Sequence, residues 1–182
     1  MRITLPVMPV RLPRELRGRR NGELPPRLLV SCGIGSFVMV PTAARACRAL
    51  VAAAAEAGFV VRATGTYRSL AQQETLFRSR YTRTPLPGRP SKTWNGERWW
   101  QLPKTAAAAR PGTSNHGLGL AVDFGEERDG DPQPESVSPA FVRWLVRNAH
   151  RFGFSAELQS EPWHWRYVAG DNVPDAVAAF PV

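Results

Sequence analysis

A short run at residues 114–125, Ser-Asn-His-Gly-Leu-Gly-Leu-Ala-Val-Asp-Phe-Gly, limits the fold more than any other part of the sequence. Large apolar residues recur at every second position, which predicts a strand from Leu118 to Phe124 because side chains alternate between the faces of a strand. That apolar face should pack on a core. The opposite face carries only glycine and alanine besides Asp123, so it leaves room for an ion or a ligand. The alternative is a solvated aspartate on an ordinary half-buried strand.

A second run, residues 161–167, reads Glu-Pro-Trp-His-Trp-Arg-Tyr and predicts an aromatic strand from Trp163 to Val168. Its aromatic residues should share one strand face, so that His164 points to the other face. Glu161 is out of step with His164, but the proline between them lets the chain bend and bring Glu161 to the same side. By itself, a histidine among aromatic residues is more often part of a core than a ligand.

The two runs together predict a metal site. The chain contains three histidines, and two of them, His116 and His164, lie in these runs. With Asp123 they match a catalytic zinc site, which has three protein ligands and one open position. A nearby glutamate that is not a ligand, here Glu161, is the expected general base. The third histidine, His150, is predicted to be structural because it lies in the last turn of a helix, where a cation suits the helix dipole.

The rest of the chain predicts an α+β domain. Apolar residues at helical spacing follow Thr42 up to a stop at Gly58, and a short strand follows at 59–64. Ser69 and Gln72 have the spacing of a capping box for a helix that runs to about residue 81. Ser138-Pro139 begins another helix, with proline in the first turn. Residues 28–44 are interrupted by glycine and proline, which predicts two short strands around a turn rather than a membrane span.

Two segments have no sustained period. Residues 1–26 are rich in proline and arginine and are predicted to be an irregular basic arm, followed by the domain at 27–182. Residues 83–113 are rich in proline and glycine and are predicted to be a long loop. This loop carries Trp94, Trp99 and Trp100, which either pack it onto the core or stack on sugar over a cleft.

The formal net charge of +9 comes from 22 arginines and 2 lysines. Such a surface favours anionic polymers, including those of a cell wall. The arginines are spread along the chain without a basic helix or an aromatic RNA-binding motif, so nucleic acid is not an expected partner. Cys32 and Cys47 form no CxxC pair, which argues against a cysteine metal site, and the sequence leaves open whether they form a disulfide.

The ordered motifs resemble those of the zinc D-Ala-D-Ala carboxypeptidases of the VanY type, which share their fold with the hedgehog signalling domain. The matching residues are Ser114, His116, Gly119, Ala121 and Asp123, then Glu161 and His164. Residues 64–69, Thr-Gly-Thr-Tyr-Arg-Ser, resemble a third family motif, Ser-Gly-Tyr-Arg-Ser, with Thr66 as a departure or insertion. The resemblance covers about residues 42–168. It implies a small antiparallel sheet that carries the zinc site and is flanked by helices.

The resemblance also implies a role for each matching residue. His116, Asp123 and His164 would hold one zinc ion per chain. Glu161 would deprotonate the metal-bound water and pass the proton to the leaving amine, and Arg68 would anchor the substrate and stabilise the oxyanion. Ser114 and Gln73 would form hydrogen bonds with the substrate or with the site loop, and Tyr67 is a further expected substrate contact.

The expected function is therefore hydrolysis of D-alanine-containing stem peptides of peptidoglycan, by a monomer acting at the bacterial cell wall. Two alternatives remain: a phage-lysin type of endopeptidase that cuts between L-Ala and D-Glu, and a zinc-stabilised binding domain without activity. No secretory signal is visible in the sequence, so non-classical or phage-assisted export is expected.

Overall fold

The computed structural model describes residues 3–128 and 136–181, and the elements below lie within those ranges. The strands are β1 Val30–Ser31, β2 Val38–Met39, β3 Val60–Gly65, β4 Tyr81–Thr82, β5 Ser91–Trp94, β6 Glu97–Gln101, β7 Ala121–Glu127, β8 Phe154–Ala156 and β9 His164–Tyr167. The α-helices are α1 Pro41–Glu56, α2 Leu70–Arg80, α3 Pro139–Asn148 and α4 Asp175–Ala178. This mixture is the predicted α+β class, and β1 and β2 are the two short strands expected around a glycine turn.

The main sheet is antiparallel, with strand order β3-β7-β9-β8. Within it Asp123 of β7 lies opposite His164 of β9, and it also lies opposite Gly65 at the end of β3. The register shifts between Ala63 and Gly65, which marks a bulge at the end of β3. Residues far apart in the sequence therefore meet at one point of the sheet.

The apolar face of β7 packs on the core, as the alternation predicts. Leu120, Val122 and Phe124 are fully buried in a cluster that also contains residues of α1 and α3. Helix α1 has proline in its first turn and ends just before Gly58, whose φ is +87°. Helix α2 carries the predicted capping box, and α3 begins after Ser138, whose hydroxyl accepts a hydrogen bond from the backbone N–H of Phe141.

Both strands of the metal motifs begin later than predicted. Residues Asn115–Leu118 form a 3₁₀ turn, and Gly119 then adopts a left-handed conformation with φ of +65°. A Cβ at Gly119 would lie 3.1 Å from Val40 Cγ1, so the close approach of α1 also favours glycine there. Strand β9 begins at His164, and Trp163 is 41% exposed instead of sharing the buried face with the aromatic residues of the strand.

The prediction of a long loop at 83–113 is wrong. Strands β5 and β6 form a hairpin within it, and β4 pairs with β6 to complete a three-stranded sheet. Asn95 and Gly96 connect the hairpin, both with positive φ, as a tight two-residue turn requires. The two tryptophans at 94 and 99 pack on Phe77 in a small core of their own, so packing rather than sugar stacking accounts for these two rings.

The N-terminal segment, residues 3–25, is irregular apart from a 3₁₀ turn at Arg14–Leu16 and an isolated β-bridge between Arg11 and Ala169, and it packs on the domain. Its leucines at positions 5, 16 and 24 are buried in the main core. Asn21 Nδ2 donates a hydrogen bond of 2.6 Å to the carbonyl of Ser114, and Gly22 N donates one of 2.7 Å to the carbonyl of Gly117. The segment therefore supports the turn that carries His116.

Two further expectations concern cysteine and membrane. Cys32 and Cys47 are both buried and free, so the disulfide that the sequence left open is not formed. Within residues 3–128 and 136–181, none of the helices has the length and apolar character needed to cross a bilayer.

Candidate metal centre

His116 lies on the 3₁₀ turn just before β7 and is buried. Its Nδ1 is 2.7 Å from the carbonyl oxygen of Thr66, an atom that only accepts hydrogen bonds, so Nδ1 carries the proton. The other ring nitrogen, Nε2, is then free to act as an acceptor or a ligand and faces Asp123. The backbone of Thr66 thus fixes the tautomer of His116.

Asp123 joins the two histidines. Its Oδ2 is 3.3 Å from His116 Nε2, and its Oδ1 is 2.7 Å from His164 Nδ1. Burial alone would raise the pKa of Asp123, but the hydrogen bonds with the two histidines outweigh it and hold that pKa well below its usual range. Asp123 is therefore an anion placed between two imidazoles.

His164 is buried at the start of β9, and both of its ring nitrogens face carboxylates. Nδ1 faces Asp123, while Nε2 is 2.7 Å from Glu157 Oε2. Burial lowers the pKa of His164, but the hydrogen bonds to Asp123 and Glu157 raise it on balance to about 9. A metal ion on the Asp123 side would take the place of the Nδ1 proton.

The three side chains have the chemistry and spacing of a zinc site. His116, Asp123 and His164 each offer one ligand atom, and these atoms all lie within 4.8 Å of one another. Two imidazole nitrogens and one carboxylate oxygen form a donor set that suits zinc and leaves a position for water or substrate. The residues predicted from the sequence as metal ligands are thus brought together, and they fit the ion.

Glu157, which sequence reasoning missed, lies behind His164. Its carboxylate accepts hydrogen bonds of 2.8 Å from Asn115 Nδ2 and 3.1 Å from Arg166 NH1, besides its contact with His164. Burial raises the pKa of Glu157, but the bonds to His164 and Arg166 lower it on balance. The residue sits between β8 and β9 in a segment without periodicity, so no local pattern marks it.

The metal site opens into a cavity of about 430 Å³. Its walls include the three candidate metal ligands and the other residues to which the motifs point, Arg68, Ser114 and Glu161. The remaining lining residues come from α2, from β5, from the segment before the His116 turn and that turn itself, and from the connection between β8 and β9: Leu76, Arg80, Lys92, residues 106–109, Thr113, Asn115, Leu158 and Trp163.

Glu161 reaches this cavity through a tight turn. The backbone N–H of His164 donates a 3.0 Å hydrogen bond to the carbonyl of Glu161, with Pro162 and Trp163 between them. This is the bend that the proline was expected to allow. Glu161 therefore lies at the wall of the metal cavity, where it can exchange a proton with a reacting group.

Arg68 is held by two hydrogen bonds. Its backbone N–H donates a hydrogen bond of 3.1 Å to the carbonyl of His116, and its NH1 donates one of 3.0 Å to Gln73 Oε1. A Cβ at Gly65 would lie 3.1 Å from Asp123 Oδ2 and 3.7 Å from Arg68 NH2, so glycine makes room for both groups. Burial lowers the pKa of Arg68, opposed by the charge of Asp123.

Two of the three predicted substrate contacts have other partners. Tyr67 does not line the cavity: its hydroxyl donates to the carbonyl of Gly22 and accepts from the backbone N–H of Leu24, so it holds the N-terminal segment. Gln73 is buried and holds Arg68 instead. Ser114 does line the cavity. The remaining histidine, His150, is exposed in a 3₁₀ turn outside the site.

The sequence matches known proteins across this site. Residues 37–170 match the VanY family model, described as D-alanyl-D-alanine carboxypeptidase. A D-alanyl-D-alanine carboxypeptidase of Enterococcus faecalis is 43% identical over 70 residues, which are 33% of this chain and 24% of that protein. The putative carboxypeptidase YodJ of Bacillus subtilis is 30% identical over 137 residues, 69% of this chain and 45% of that protein. The chain thus spans less than half the length of these relatives.

Solved structures share the fold. The LdcB LD-carboxypeptidase, whose structure addressed peptidoglycan recognition, has a TM-score of 0.57 and 27% identity, over 86% of this chain and 73% of that chain. A second structure is a point mutant of the D,D-pentapeptidase VanY from a VanB-type vancomycin resistance cassette, in complex with Zn(II). It has a TM-score of 0.51 and 26% identity, over 80% of this chain and 82% of that chain. The predicted small antiparallel sheet with flanking helices is thereby confirmed as a fold.

Proposed function

The chain belongs to the VanY family of D-alanyl-D-alanine carboxypeptidases, and from this premise we propose that it is a zinc metallopeptidase that hydrolyses D-alanine-containing peptides of peptidoglycan. The observation that carries the proposal is one cavity with three kinds of group. It contains a complete zinc ligand set, a separate carboxylate at Glu161 and a separate guanidinium at Arg68. We propose one zinc ion per chain.

The residues that line this cavity have separate roles in the proposed peptide hydrolysis. A zinc ion held by two neutral imidazoles and one carboxylate would keep a net charge of about +1 and so polarise both water and the scissile carbonyl. Glu161 takes the proton of the attacking water and returns it to the leaving amine. Arg68, held by Gln73, donates hydrogen bonds to the oxyanion or to the substrate carboxylate.

The charges around the cavity favour an anionic peptide. Arg68, Arg80 and Lys92 line it together, facing the acidic side chains of Asp123 and Glu161. These three cationic side chains outnumber the two carboxylates, and a bound zinc ion would make the cavity more cationic. A peptide with a free terminal carboxylate, such as one ending in D-alanine, matches this charge.

A second candidate is an LD-carboxypeptidase, which removes a D-residue bonded to an L-residue. It is favoured by the similarity to LdcB, which covers 86% of this chain. A zinc-stabilised binding domain without activity is disfavoured, because zinc binding alone needs neither Glu161 nor Arg68 in the cavity.

Mass spectrometry of defined stem peptides tests the function. The zinc-loaded protein is incubated with a pentapeptide ending in D-Ala-D-Ala and with a tetrapeptide ending in one D-Ala. Loss of one alanine from the pentapeptide supports the D,D-activity, and loss from the tetrapeptide supports the LD-activity. Cleavage between L-Ala and D-Glu, which releases a peptide that begins with D-Glu, would instead identify an endopeptidase. Cleavage in the Glu161→Ala variant at close to the parental rate would remove Glu161 from the mechanism, and cleavage that persists after chelation of the metal would refute the metallopeptidase.

A further inference from the structure

Glu157 is a buried carboxylate in direct contact with a metal ligand, although it faces away from the cavity. Its Oε2 is 2.7 Å from Nε2 of His164, on the side of the ring opposite to Asp123. It does not line the cavity, and the two nitrogens of one imidazole point in different directions. Glu157 therefore cannot bind the same ion as His164 Nδ1, and it cannot take a proton from a substrate in the cavity.

The contact has a direct consequence for the ligand atom. A carboxylate beside Nε2 favours the tautomer with its proton on Nε2, which leaves the lone pair on Nδ1. Nδ1 is the atom that faces Asp123 and the metal position. A carboxylate partner also raises the basicity of an imidazole ligand and fixes the rotation of its ring. His116 has no such carboxylate partner on its other ring nitrogen, because its Nδ1 faces the neutral backbone carbonyl of Thr66.

Glu157 is itself held in place by two donors. Asn115 Nδ2 is 2.8 Å from both of its carboxylate oxygens, and Arg166 NH1 is 3.1 Å from Oε1. Asn115 adjoins His116, while Arg166 lies two residues after His164 on β9. Glu157 therefore bridges the two chain segments that carry the histidine ligands.

We infer that Glu157 is a positioning residue, which fixes the tautomer and orientation of His164 and thereby sets the zinc affinity of the site. This inference rests on the proposed zinc site. It adds a residue that neither metal motif contains. Its effect is on the metal rather than on the substrate, so it can be measured without any turnover.

The first experiment compares zinc affinity in the protein and in Glu157→Gln by competition with a chromogenic chelator. Glutamine keeps the size of the side chain but offers one oxygen instead of two, while His164, Asn115 and Arg166 all donate. We expect zinc to bind about 10–100-fold more weakly, the usual effect of removing such a partner. The matched control is Glu126→Gln, which alters a buried carboxylate on β7 that accepts from Ser138 N and contacts no metal ligand.

A second measurement needs no variant. Nitrogen NMR of the zinc-loaded protein should show His164 with a protonated Nε2 and a metal-bound Nδ1. A deprotonated Nε2 would overturn the inference, even if Glu157→Gln failed to fold. Zinc affinity in Glu157→Gln that stays within threefold of the parent, or falls no further than in Glu126→Gln, would also overturn it. If the unaltered protein bound no zinc, the proposed function itself would fail, which is a separate and recognisable result.

Discussion

The two larger sheets of this domain differ in what they hold together. The main sheet, β3-β7-β9-β8, packs on a large core and brings Asp123 opposite His164. The hairpin sheet, β4-β6-β5, packs on a small separate core around Phe77 and Trp99. Both sheets reach the cavity, but the candidate metal ligands come from the main sheet and the turn that leads into it.

The hairpin sheet and its helix contribute to a wall of the cavity. Three side chains donate hydrogen bonds to the carbonyls of consecutive alanines. Lys92 Nζ is 2.6 Å from the carbonyl oxygen of Ala108, and Gln73 Nε2 is 2.7 Å from that of Ala109. Arg80 NH1 is 3.2 Å from the carbonyl oxygen of Ala107. These bonds fix an alanine-rich segment that lines the cavity, and Arg80 and Lys92 line the cavity beside it. The candidate metal ligands thus belong to the main sheet and the turn before it, while the hairpin sheet and α2 shape and charge this wall.

The largest expected effect comes from removing a candidate metal ligand, His164 on the main sheet or His116 on the turn before it. We predict that His164→Ala, or His116→Ala, loses stoichiometric zinc and all measurable peptidase activity, because two ligands do not make a catalytic zinc site. Metal analysis and peptide hydrolysis check this. The matched control is His150→Ala, since this exposed histidine lies outside the cavity and should keep both properties. A ligand variant that retains full zinc would refute the assignment.

The next effect separates chemistry from metal binding. We predict that Glu161→Ala keeps the fold and the zinc but lowers kcat by about 10²–10⁴-fold, the usual consequence of losing a general base. Steady-state kinetics, metal content and thermal unfolding are measured on the same preparation. Activity within a few-fold of the parent would remove Glu161 from the mechanism.

The two sheets also differ in how much the sequence revealed. Three strands of the main sheet, β3, β7 and β9, were predictable from the sequence, and in β7 the alternation of large apolar residues placed Asp123 on the opposite face. The short strand β8 was not predicted. The start of β7 was not predicted either, because a strand pattern at 118–120 does not exclude a 3₁₀ turn that ends at a left-handed glycine. That turn is favoured by tertiary contacts, including the close approach of Val40 to Gly119.

The hairpin sheet was missed because β4, β5 and β6 are short and lie among prolines and glycines. The available signal was Asn95-Gly96 between two tryptophan-containing runs, a combination typical of a tight hairpin. Glu157 and Tyr67 could not have been assigned from sequence. Their roles depend on partners far along the chain, Asn115 for the first and Gly22 for the second.

A core variant in the hairpin sheet tests whether the two regions are independent. We predict that Trp99→Ala lowers the free energy of unfolding by about 3 kcal/mol, because it removes a large buried ring. Zinc affinity should stay within a few-fold, since this core is separate from the main one. The comparison variant is Phe124→Ala, next to Asp123 in the main core, which should weaken both stability and zinc binding. Loss of zinc in Trp99→Ala would show that the two regions act as one.

Arg68 joins the two regions, and its effect should be smaller. We predict that Arg68→Lys keeps the zinc and an almost unchanged Tm but lowers kcat/KM by at least about tenfold, or about 1.4 kcal/mol. Lysine keeps the charge but not the paired donors of a guanidinium. Arg78→Lys is the control, because Arg78 is on α2 and pairs with Glu74 outside the cavity. A clearly lower Tm in Arg68→Lys together with an unchanged kcat/KM would show that Arg68 has a structural role instead.

The smallest expected effect concerns the charge of the hairpin sheet itself. Lys92 lies on β5 and lines the cavity, where its positive charge favours an anionic peptide. Lys92→Met keeps the length of the side chain and removes the charge. We predict a KM about threefold higher with kcat nearly unchanged, equivalent to about 0.7 kcal/mol of uniform binding.

The chain offers a close control for this last prediction, since Lys104 is its other lysine and is exposed outside the cavity. Lys104→Met removes the same charge from the whole protein, so an effect that is only long-range should appear in both variants. An effect of the cavity should appear in Lys92→Met alone, and added salt should reduce the difference from the parent because salt screens exposed charges. A fall in kcat with unchanged KM would mean that Lys92 acts by holding the carbonyl of Ala108 in place, so that the hairpin sheet shapes the wall without charging it.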